Sequence, residues 1–169
     1  MRDLVADLHA LASGQHTEDA ECDLASAIGR AARVAHHALA NGSTLVVELP
    51  PLPPVSGSEA ELVQLFGCLL VNAGQARGEP ANEVRITAEL RGPMVVARVS
   101  DTGRGISPED LPRIFDPFFT TRGVRQGKGL GLPVAQGIAQ GLGGGIEVES
   151  VLGNGTTMSV TLPVARRSP

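Results

Sequence analysis

The chain has 169 residues, of which 42% are hydrophobic, and its formal net charge at pH 7 is −4. This length suits one domain with a single core, and the apolar content argues against intrinsic disorder. The acidic balance argues against a broad nucleic-acid-binding surface, so we expect no nucleic-acid partner.

Residues 1 to 13 have the leucine spacing of a short amphipathic helix, with Leu4, Leu8 and Leu11 on one face. The segment is too short to span a membrane, and it lacks the basic start and apolar run of a signal peptide. We therefore expect no membrane contact by this chain and a cytoplasmic location, even where a parent protein is membrane-anchored.

A second helix is predicted after Asp23, whose side chain can cap it. Its apolar stripe is Leu24, Ile28, Ala31, Ala35 and Leu39, and the Asn-Gly pair at 41 and 42 should end it. Residues 43 to 49, STLVVEL, have the composition of a strand. The next segment, PPLPPVSG at 50 to 57, is predicted to be an extended connector without ladder hydrogen bonds, because proline has no N–H to donate.

Ser58 and Glu61 have the spacing of a capping box, which predicts a third, strongly apolar helix running to about Arg77. Two strands follow at 83 to 90 and 94 to 100, joined by a tight turn. After a glycine-rich stretch, a helix is predicted at about 131 to 142, and the last two strands at 143 to 150 and 156 to 164. This order predicts an α/β fold in two layers, with helices on one face of a mixed, mainly antiparallel sheet.

A narrow polar line crosses the third predicted helix, where Gln64, Cys68, Asn72 and Gln75 recur at helical spacing. A buried amide without a partner costs about 1–3 kcal/mol, so Asn72 needs something to bind. Its side chain could bond a nearby backbone group, or its carbonyl oxygen could hold a hard cation such as Mg²⁺. Cys68, like Cys22, lacks CxxC spacing, which indicates a reduced thiol rather than a disulfide or a zinc ligand.

The segment SDTGRGIS at 100 to 107 leaves a predicted strand directly into a turn that Gly103 and Gly105 permit. Asp101 is either part of a plain Asp-Thr-Gly turn or a ligand-binding carboxylate. A carboxylate accepts a hydrogen bond from an exocyclic amine and repels a carbonyl oxygen, which separates adenine from guanine.

The segment GKGLGL at 127 to 132 fits neither common glycine motif. A Walker loop would need Gly where Arg122 stands, and Ser or Thr after Lys128, where Gly129 stands. A dinucleotide fingerprint is excluded because position 132 is Leu and no strand is predicted before the segment. The glycines are either a hinge or a source of backbone N–H groups for phosphate at a helix start. GNGTT at 153 to 157 is likewise either a hairpin turn or a site where Thr156 presents its hydroxyl to a ligand.

Together, five segments in this order and spacing resemble the GHKL ATPase superfamily, and most closely the catalytic ATP-binding domain of bacterial sensor histidine kinases. LVQLFGCLLVNAGQA is similar to the N box, DTGRGI to the G1 box, DPFFTT to the F box, GKGLGL to the G2 box and GNGTT to the G3 region. The resemblance covers roughly residues 43 to 164. DPFFTT favours histidine kinases over the topoisomerase, chaperone and mismatch-repair branches.

The resemblance implies the Bergerat fold, a two-layer sandwich that holds ATP between helices and sheet. It implies that Asn72 binds Mg²⁺ and that the Asp101 carboxylate reads the adenine, with Gly103, Gly105 and Ile106 beside the base. It also implies that Gly129, Leu130 and Gly131 bind the phosphates and that the Thr156 hydroxyl lies near the adenine. Residues between the F and G2 boxes would form the ATP lid. Phe115, Phe118 and Phe119 would anchor its base against the domain or a neighbouring dimerisation helix. From their charge and position, Arg122 and Lys128 are our own candidates for phosphate contacts.

The resemblance also divides the chain. Residues 1 to 40 are similar to the helical end of a dimerisation region and its connector in the nitrogen-regulation-kinase-like subgroup. Residues 41 to 165 are similar to the catalytic domain, and residues 166 to 169 form a tail. The expected reaction moves the ATP γ-phosphoryl group to a histidine on a dimerisation domain outside this chain, and from there indirectly to a response regulator. Without the dimerisation helices, we expect a monomer.

Two departures from the family pattern limit what the chain should do alone. Cys68 is a catalytic candidate by position only, because many relatives have Asn there and the ATP-hydrolysing branches have a Glu base. A neutral thiol is a poor base and a poor Mg²⁺ ligand, so we expect ATP hydrolysis below about 1 s⁻¹. None of the histidines, His9, His16, His36 and His37, is followed by the acidic residue typical of a phosphoacceptor, so the chain should not label itself. The alternative function is a degenerate GHKL nucleotide-binding regulator or docking module without kinase activity.

Overall fold

A computed structural model of the chain describes residues 20–40, 42–76, 81–121 and 128–166. The predicted helix at 1 to 13 and most of the predicted tail lie outside these ranges. Within them, no helix is both long enough and apolar enough to cross a membrane.

The helical elements are α1 (Leu24–Val34), α2 (His36–Ala40), α3 (Glu59–Gln75), a 3₁₀ turn (Leu111–Arg113) and α4 (Gly131–Gly141). The predicted second helix is divided, because Ala35 leaves helical geometry at φ −81° and ψ 1° and separates α1 from α2. The cap at Asp23 is confirmed, since its Oδ1 accepts hydrogen bonds from the N–H groups of Ala25 at 2.8 Å and Ser26 at 3.2 Å. After the break, α2 packs against both α3 and the following strand, with Leu39 buried.

α3 is the central helix of its layer, because it packs against both α1 and α4. Its capping box is confirmed: Ser58 Oγ accepts from the Glu61 N–H at 3.3 Å, and Glu61 Oε2 accepts from the Ser58 N–H at 2.9 Å. Five large side chains of this helix are at most 1% exposed: Leu62, Leu65, Phe66, Leu69 and Leu70. Close packing of these side chains fixes the rotation of the helix, and thereby the direction of its polar line.

The strands are β1 (Glu21–Cys22), β2 (Ser43–Glu48), β3 (Val55–Ser56), β4 (Asn82–Arg91), β5 (Met94–Asp101), β6 (Gly145–Val151) and β7 (Gly155–Pro163). Five of them form one sheet in the order β2-β4-β5-β7-β6. In it β2 and β4 are parallel, and all other neighbours are antiparallel. With the helices packed on one face, this confirms the predicted two-layer α/β fold with a mixed, mainly antiparallel sheet.

The prediction of a connector without ladder bonds at 50 to 57 is wrong for its last residues. Val55 and Ser56 form β3, which pairs antiparallel with β1, so that Val55 lies opposite Cys22. The run of prolines ends at Pro54, and both residues of β3 therefore keep the N–H groups that a ladder needs. Val55 is fully buried, which gives this short pairing an apolar stabilisation as well.

Alternation along the strands separates a buried face of the sheet from a solvated one. The face under the helices carries buried apolar residues such as Val84, Val99 and Val160. The opposite face carries ion pairs such as Arg98 with Glu89, whose nitrogen and oxygen are 2.7 Å apart. Because these pairs are solvated, they contribute little to stability. The buried face becomes polar near the end of β5, and there the sheet borders a cleft.

Candidate functional site

A cleft of about 500 Å³ lies where the C-terminal half of α3 meets the start of α4. Its other walls are the loop at 104–107, the segment at 119–121 and the turn after β6. Small-molecule sites commonly have volumes of about 300–1,000 Å³. The predicted site residues that line it are Cys68, Asn72, Gly105, Ile106, Lys128, Gly129, Leu130, Gly131 and Thr156. Arg122 and the rest of the predicted lid lie outside the described residues.

Asp101 and Gly103 lie in the cleft wall, next to two residues that line the cleft, Thr156 and Arg104. Asp101 ends β5, is 7% exposed, and accepts a hydrogen bond at Oδ1 from the Gly103 N–H at 2.9 Å. Its neighbour across the ladder is Thr156, which does line the cleft. Gly103 is required because a Cβ there would lie 1.7 Å from the carbonyl oxygen of Ala76. That oxygen accepts from the Arg104 N–H at 2.8 Å, so the loop docks against the end of α3.

The polar line of α3 reaches the cleft through Cys68, Asn72 and Gln75, whereas Gln64 does not line it. Burial raises the pKa of the Cys68 thiol to about 11, so the thiol stays protonated at neutral pH. A protonated thiol cannot act as a base and is not the oxygen ligand that Mg²⁺ prefers. Across the described ranges, no three His, Cys, Asp or Glu side chains cluster closely enough to hold a metal. The side-chain amides that α3 brings to the cleft are those of Asn72 and Gln75.

The glycines before α4 fit closely against two other segments. Gly129 has φ +68°, and a Cβ there would lie 2.6 Å from the backbone carbonyl carbon of Phe118. The carbonyl of Gly129 accepts a hydrogen bond from the Phe118 N–H at 2.9 Å. Gly131 begins α4, and a Cβ there would lie 3.9 Å from that of Cys68. The N-terminus of an 11-residue helix thus borders the cleft, and the start of a helix is a favourable position for anionic ligands.

The three phenylalanines near the cleft have different surroundings. Phe119 lines the cleft, and the guanidinium carbon of Arg113 lies 4.4 Å from its ring centroid. Phe115 packs against the core. Phe118 is 59% exposed and has φ +67°, a conformation that costs a residue with a side chain about 1 kcal/mol or more. Phe115 and Phe119 are therefore anchors within the domain, as predicted, whereas Phe118 does not pack against its core.

Several residues of the cleft are not among the predicted site residues. Arg104 lines it, and its Nη2 donates to Thr121 Oγ1 at 2.8 Å, which connects the G1 and F segments. The sequence feature that could have identified Arg104 is its position inside the G1 segment, DTGRGI. Leu152, in the turn after β6, also lines the cleft although it is 63% exposed. A single leucine in a turn carries no sequence signal, because exposed apolar residues are common on protein surfaces.

A sequence model of the histidine kinase-, DNA gyrase B-, and HSP90-like ATPase family matches residues 57–166. Sensor histidine kinase ZraS of Escherichia coli strain K12 is 38% identical over 120 residues, which are 70% of this chain and 25% of ZraS. The chain thus spans about a quarter of the length of this curated relative.

Solved structures show the same fold. The nucleotide-free catalytic domain of histidine kinase ThkA has a TM-score of 0.74 at 27% identity, covering 86% of this chain and 95% of that one. Full-length ShkA in complex with AMPPNP has a TM-score of 0.78 at 26% identity, covering 99% of this chain and 36% of that one.

Proposed function

The chain belongs to the histidine kinase-, DNA gyrase B-, and HSP90-like ATPase family, and we propose that it is the catalytic ATP-binding domain of a sensor histidine kinase. The observation that carries the proposal is the cleft of about 500 Å³ between α3 and α4, which gathers residues of the N, G1, F, G2 and G3 segments around one volume. The similarity to the sensor histidine kinase ZraS supports this activity in the parent protein. The complex of ShkA with AMPPNP supports a nucleotide site in this fold.

In this proposal the side-chain amide of Asn72 would hold Mg²⁺, an ion that prefers oxygen ligands. Bound Mg²⁺ supplies neutralisation of the phosphate charge. Lys128, Arg122 and the backbone N–H groups from Gly129 to Gly131 hold the phosphates at the start of α4. On the other side of the cleft, Asp101 and Thr156 read the amine of adenine, beside Gly103, Gly105 and Ile106.

The phosphoryl acceptor in this proposal is a histidine on a dimerisation domain outside the chain. His36 and His37 are exposed on α2, but neither precedes an acidic residue. The assignment of residues 1 to 40 to the end of a dimerisation region of the nitrogen-regulation-kinase-like subgroup rests on their sequence. A response regulator would receive the phosphoryl group after the histidine, and the chain alone would be a monomer.

Calorimetry tests the nucleotide site. The native chain should bind Mg·ATP more tightly than Mg·GTP, because the Asp101 carboxylate accepts from an amine and repels a carbonyl oxygen. Asp101→Asn should reduce this preference, since an amide can also donate to a carbonyl oxygen. Equal affinities of the native chain for the two nucleotides would contradict the adenine-reading role.

Phosphoryl transfer tests the kinase activity. Labelled ATP should modify a cognate dimerisation domain supplied in trans, and it should leave the chain itself unlabelled. Asn72→Ala should abolish transfer, whereas Gln64→Ala, exposed on the same helix but outside the cleft, should not change it. Tight ATP binding without transfer would support the alternative, a nucleotide-binding regulator. Stable acid-labile label on the chain itself would contradict the external acceptor.

A further inference from the structure

A row of three polar residues crosses three strands at the cleft end of the sheet. Asp101 on β5 lies opposite Thr156 on β7, and Thr156 lies opposite Ser150 on β6. Residues directly opposite each other in a ladder share one face of the sheet, so all three lie on the face under the helices. Thr156 is 5% exposed and lines the cleft, whereas Ser150 stands behind it.

The Ser150 hydroxyl has three hydrogen-bond partners. Its Oγ accepts from the Ile106 N–H at 2.8 Å, lies 3.0 Å from the Gly155 carbonyl oxygen and lies 2.9 Å from Thr156 Oγ1. A serine hydroxyl has one proton to donate and two sites at which to accept. An N–H can only donate and a carbonyl oxygen can only accept. All three contacts are therefore satisfied together only when Ser150 donates to Gly155 and Thr156 donates to Ser150.

In this arrangement the Thr156 hydroxyl donates its proton to Ser150, so Thr156 Oγ1 can only accept hydrogen bonds from a ligand in the cleft. We propose that Ser150 is a positioning residue that makes Thr156 a hydrogen-bond acceptor and thereby favours 6-amino over 6-oxo purine nucleotides. The proposal rests on the proposed function, because it concerns the base in the same nucleotide site. The carboxylate of Asp101, next in the row, is an acceptor of the same kind. Asp101 and Thr156 can therefore both accept a hydrogen bond from an amino group on the base, and both repel a carbonyl oxygen at the same position.

Ser150 also supports a second segment of the cleft, because Ile106 lines the cleft and its N–H donates to the same hydroxyl. Loss of Ser150 can therefore weaken nucleotide binding in two ways. A displaced loop lowers the affinity for every nucleotide, whereas a reoriented Thr156 changes the ratio between nucleotides. A change in the ratio of the affinities for two nucleotides is therefore what identifies a positioning role for Ser150.

The test is competition binding with Mg·ATP and Mg·ITP, which carry a 6-amino and a 6-oxo purine. The native chain should prefer ATP. In Ser150→Ala the Thr156 hydroxyl can turn and donate to the 6-oxo group, and the ATP-to-ITP affinity ratio should fall about 3- to 10-fold, as expected for one hydrogen bond. Ser150→Thr keeps the hydroxyl and should retain the ratio. The matched control is Ser100→Ala: Ser100 Oγ lies 2.9 Å from Thr157 Oγ1 on the opposite face of the same sheet, and its loss should leave the ratio unchanged.

A double-mutant cycle distinguishes positioning from general support. Thr156→Val removes the acceptor itself, so the ratio should fall in this variant, and adding Ser150→Ala should lower it no further. An unchanged ratio in Ser150→Ala, or in Thr156→Val if Ser150→Ala does not fold, would overturn the role of Ser150 while ATP binding by the native chain persists. Binding of neither nucleotide by the native chain would instead refute the proposed function.

Discussion

Alkylation of Cys68 by iodoacetamide at pH 8 should be about ten times slower in the folded chain than in the unfolded chain. Burial raises the pKa of this thiol from an ordinary 9.0 to about 11, and the thiolate is the reactive form. Two pKa units lower the thiolate fraction about 100-fold at this pH. A thiolate of higher pKa is more nucleophilic, with a slope of about 0.4–0.5 per unit, which offsets roughly 6- to 10-fold of the loss.

The assay measures the modified fraction of the Cys68 peptide against time by mass spectrometry. The unfolded reference is the same chain in guanidinium chloride, where the pKa of the thiol returns to its ordinary value. In the folded chain the rate should rise about tenfold for each pH unit between 8 and 10, whereas the unfolded chain should approach a plateau above its own pKa near 9.0. Saturating Mg·ATP should slow the folded reaction further, because Cys68 lines the cleft.

Equal rates for the folded and unfolded chains at pH 8 would refute the inference that burial keeps this thiol protonated. A plateau of the folded rate near pH 9 would do the same. Either result would mean that the thiol keeps an ordinary pKa near 9.0; it would still be protonated at neutral pH, and ATP hydrolysis below about 1 s⁻¹ would still be expected. No change of rate with Mg·ATP would place the nucleotide away from α3.

Three further predictions concern stability. Cys68 should contribute its full share to the free energy of unfolding below pH 9, and that share should fall by about 2–3 kcal/mol as the pH rises to 11. The reason is that the thiol loses its proton near pH 9.0 in the unfolded chain but keeps it to about pH 11 in the folded one. Denaturant titrations should show a smaller fall in Cys68→Ala. Gly103→Ala should cost about 1–3 kcal/mol, since its Cβ would lie 1.7 Å from a carbonyl oxygen, whereas Gly137→Ala, with open space on α4, should stabilise by about 0.5–1 kcal/mol; thermal melts compare the two. Asn82→Ala should cost about 2–4 kcal/mol in urea unfolding, because its 3%-exposed amide donates to a carbonyl of α3 at 2.8 Å and accepts from an N–H after β5 at 3.1 Å. A loss below about 0.5 kcal/mol would mean that water replaces both partners.

Local signals predicted most of the elements, because their causes lie within a few residues. The caps at Asp23 and Ser58 are examples, since each side chain bonds N–H groups two or three positions ahead. The break at Ala35 and the strand β3 were not predicted. β3 is only two residues long and depends on pairing with β1, which is distant in the sequence. The break separates two helices that are positioned by their packing against α3 and the sheet.

The sequence by itself determined which chemistry is present and in what order: an amide at Asn72, a carboxylate at Asp101, and glycines before α4. Residue type and spacing are sufficient for that, because they are properties of the chain. Only the tertiary structure decided that Asp101 lies opposite Thr156 at the cleft end of the sheet, that burial raises the pKa of Cys68, and that Ser150 holds the hydroxyl of Thr156. Burial and cross-strand register arise when segments far apart in the chain meet, so no local pattern records them.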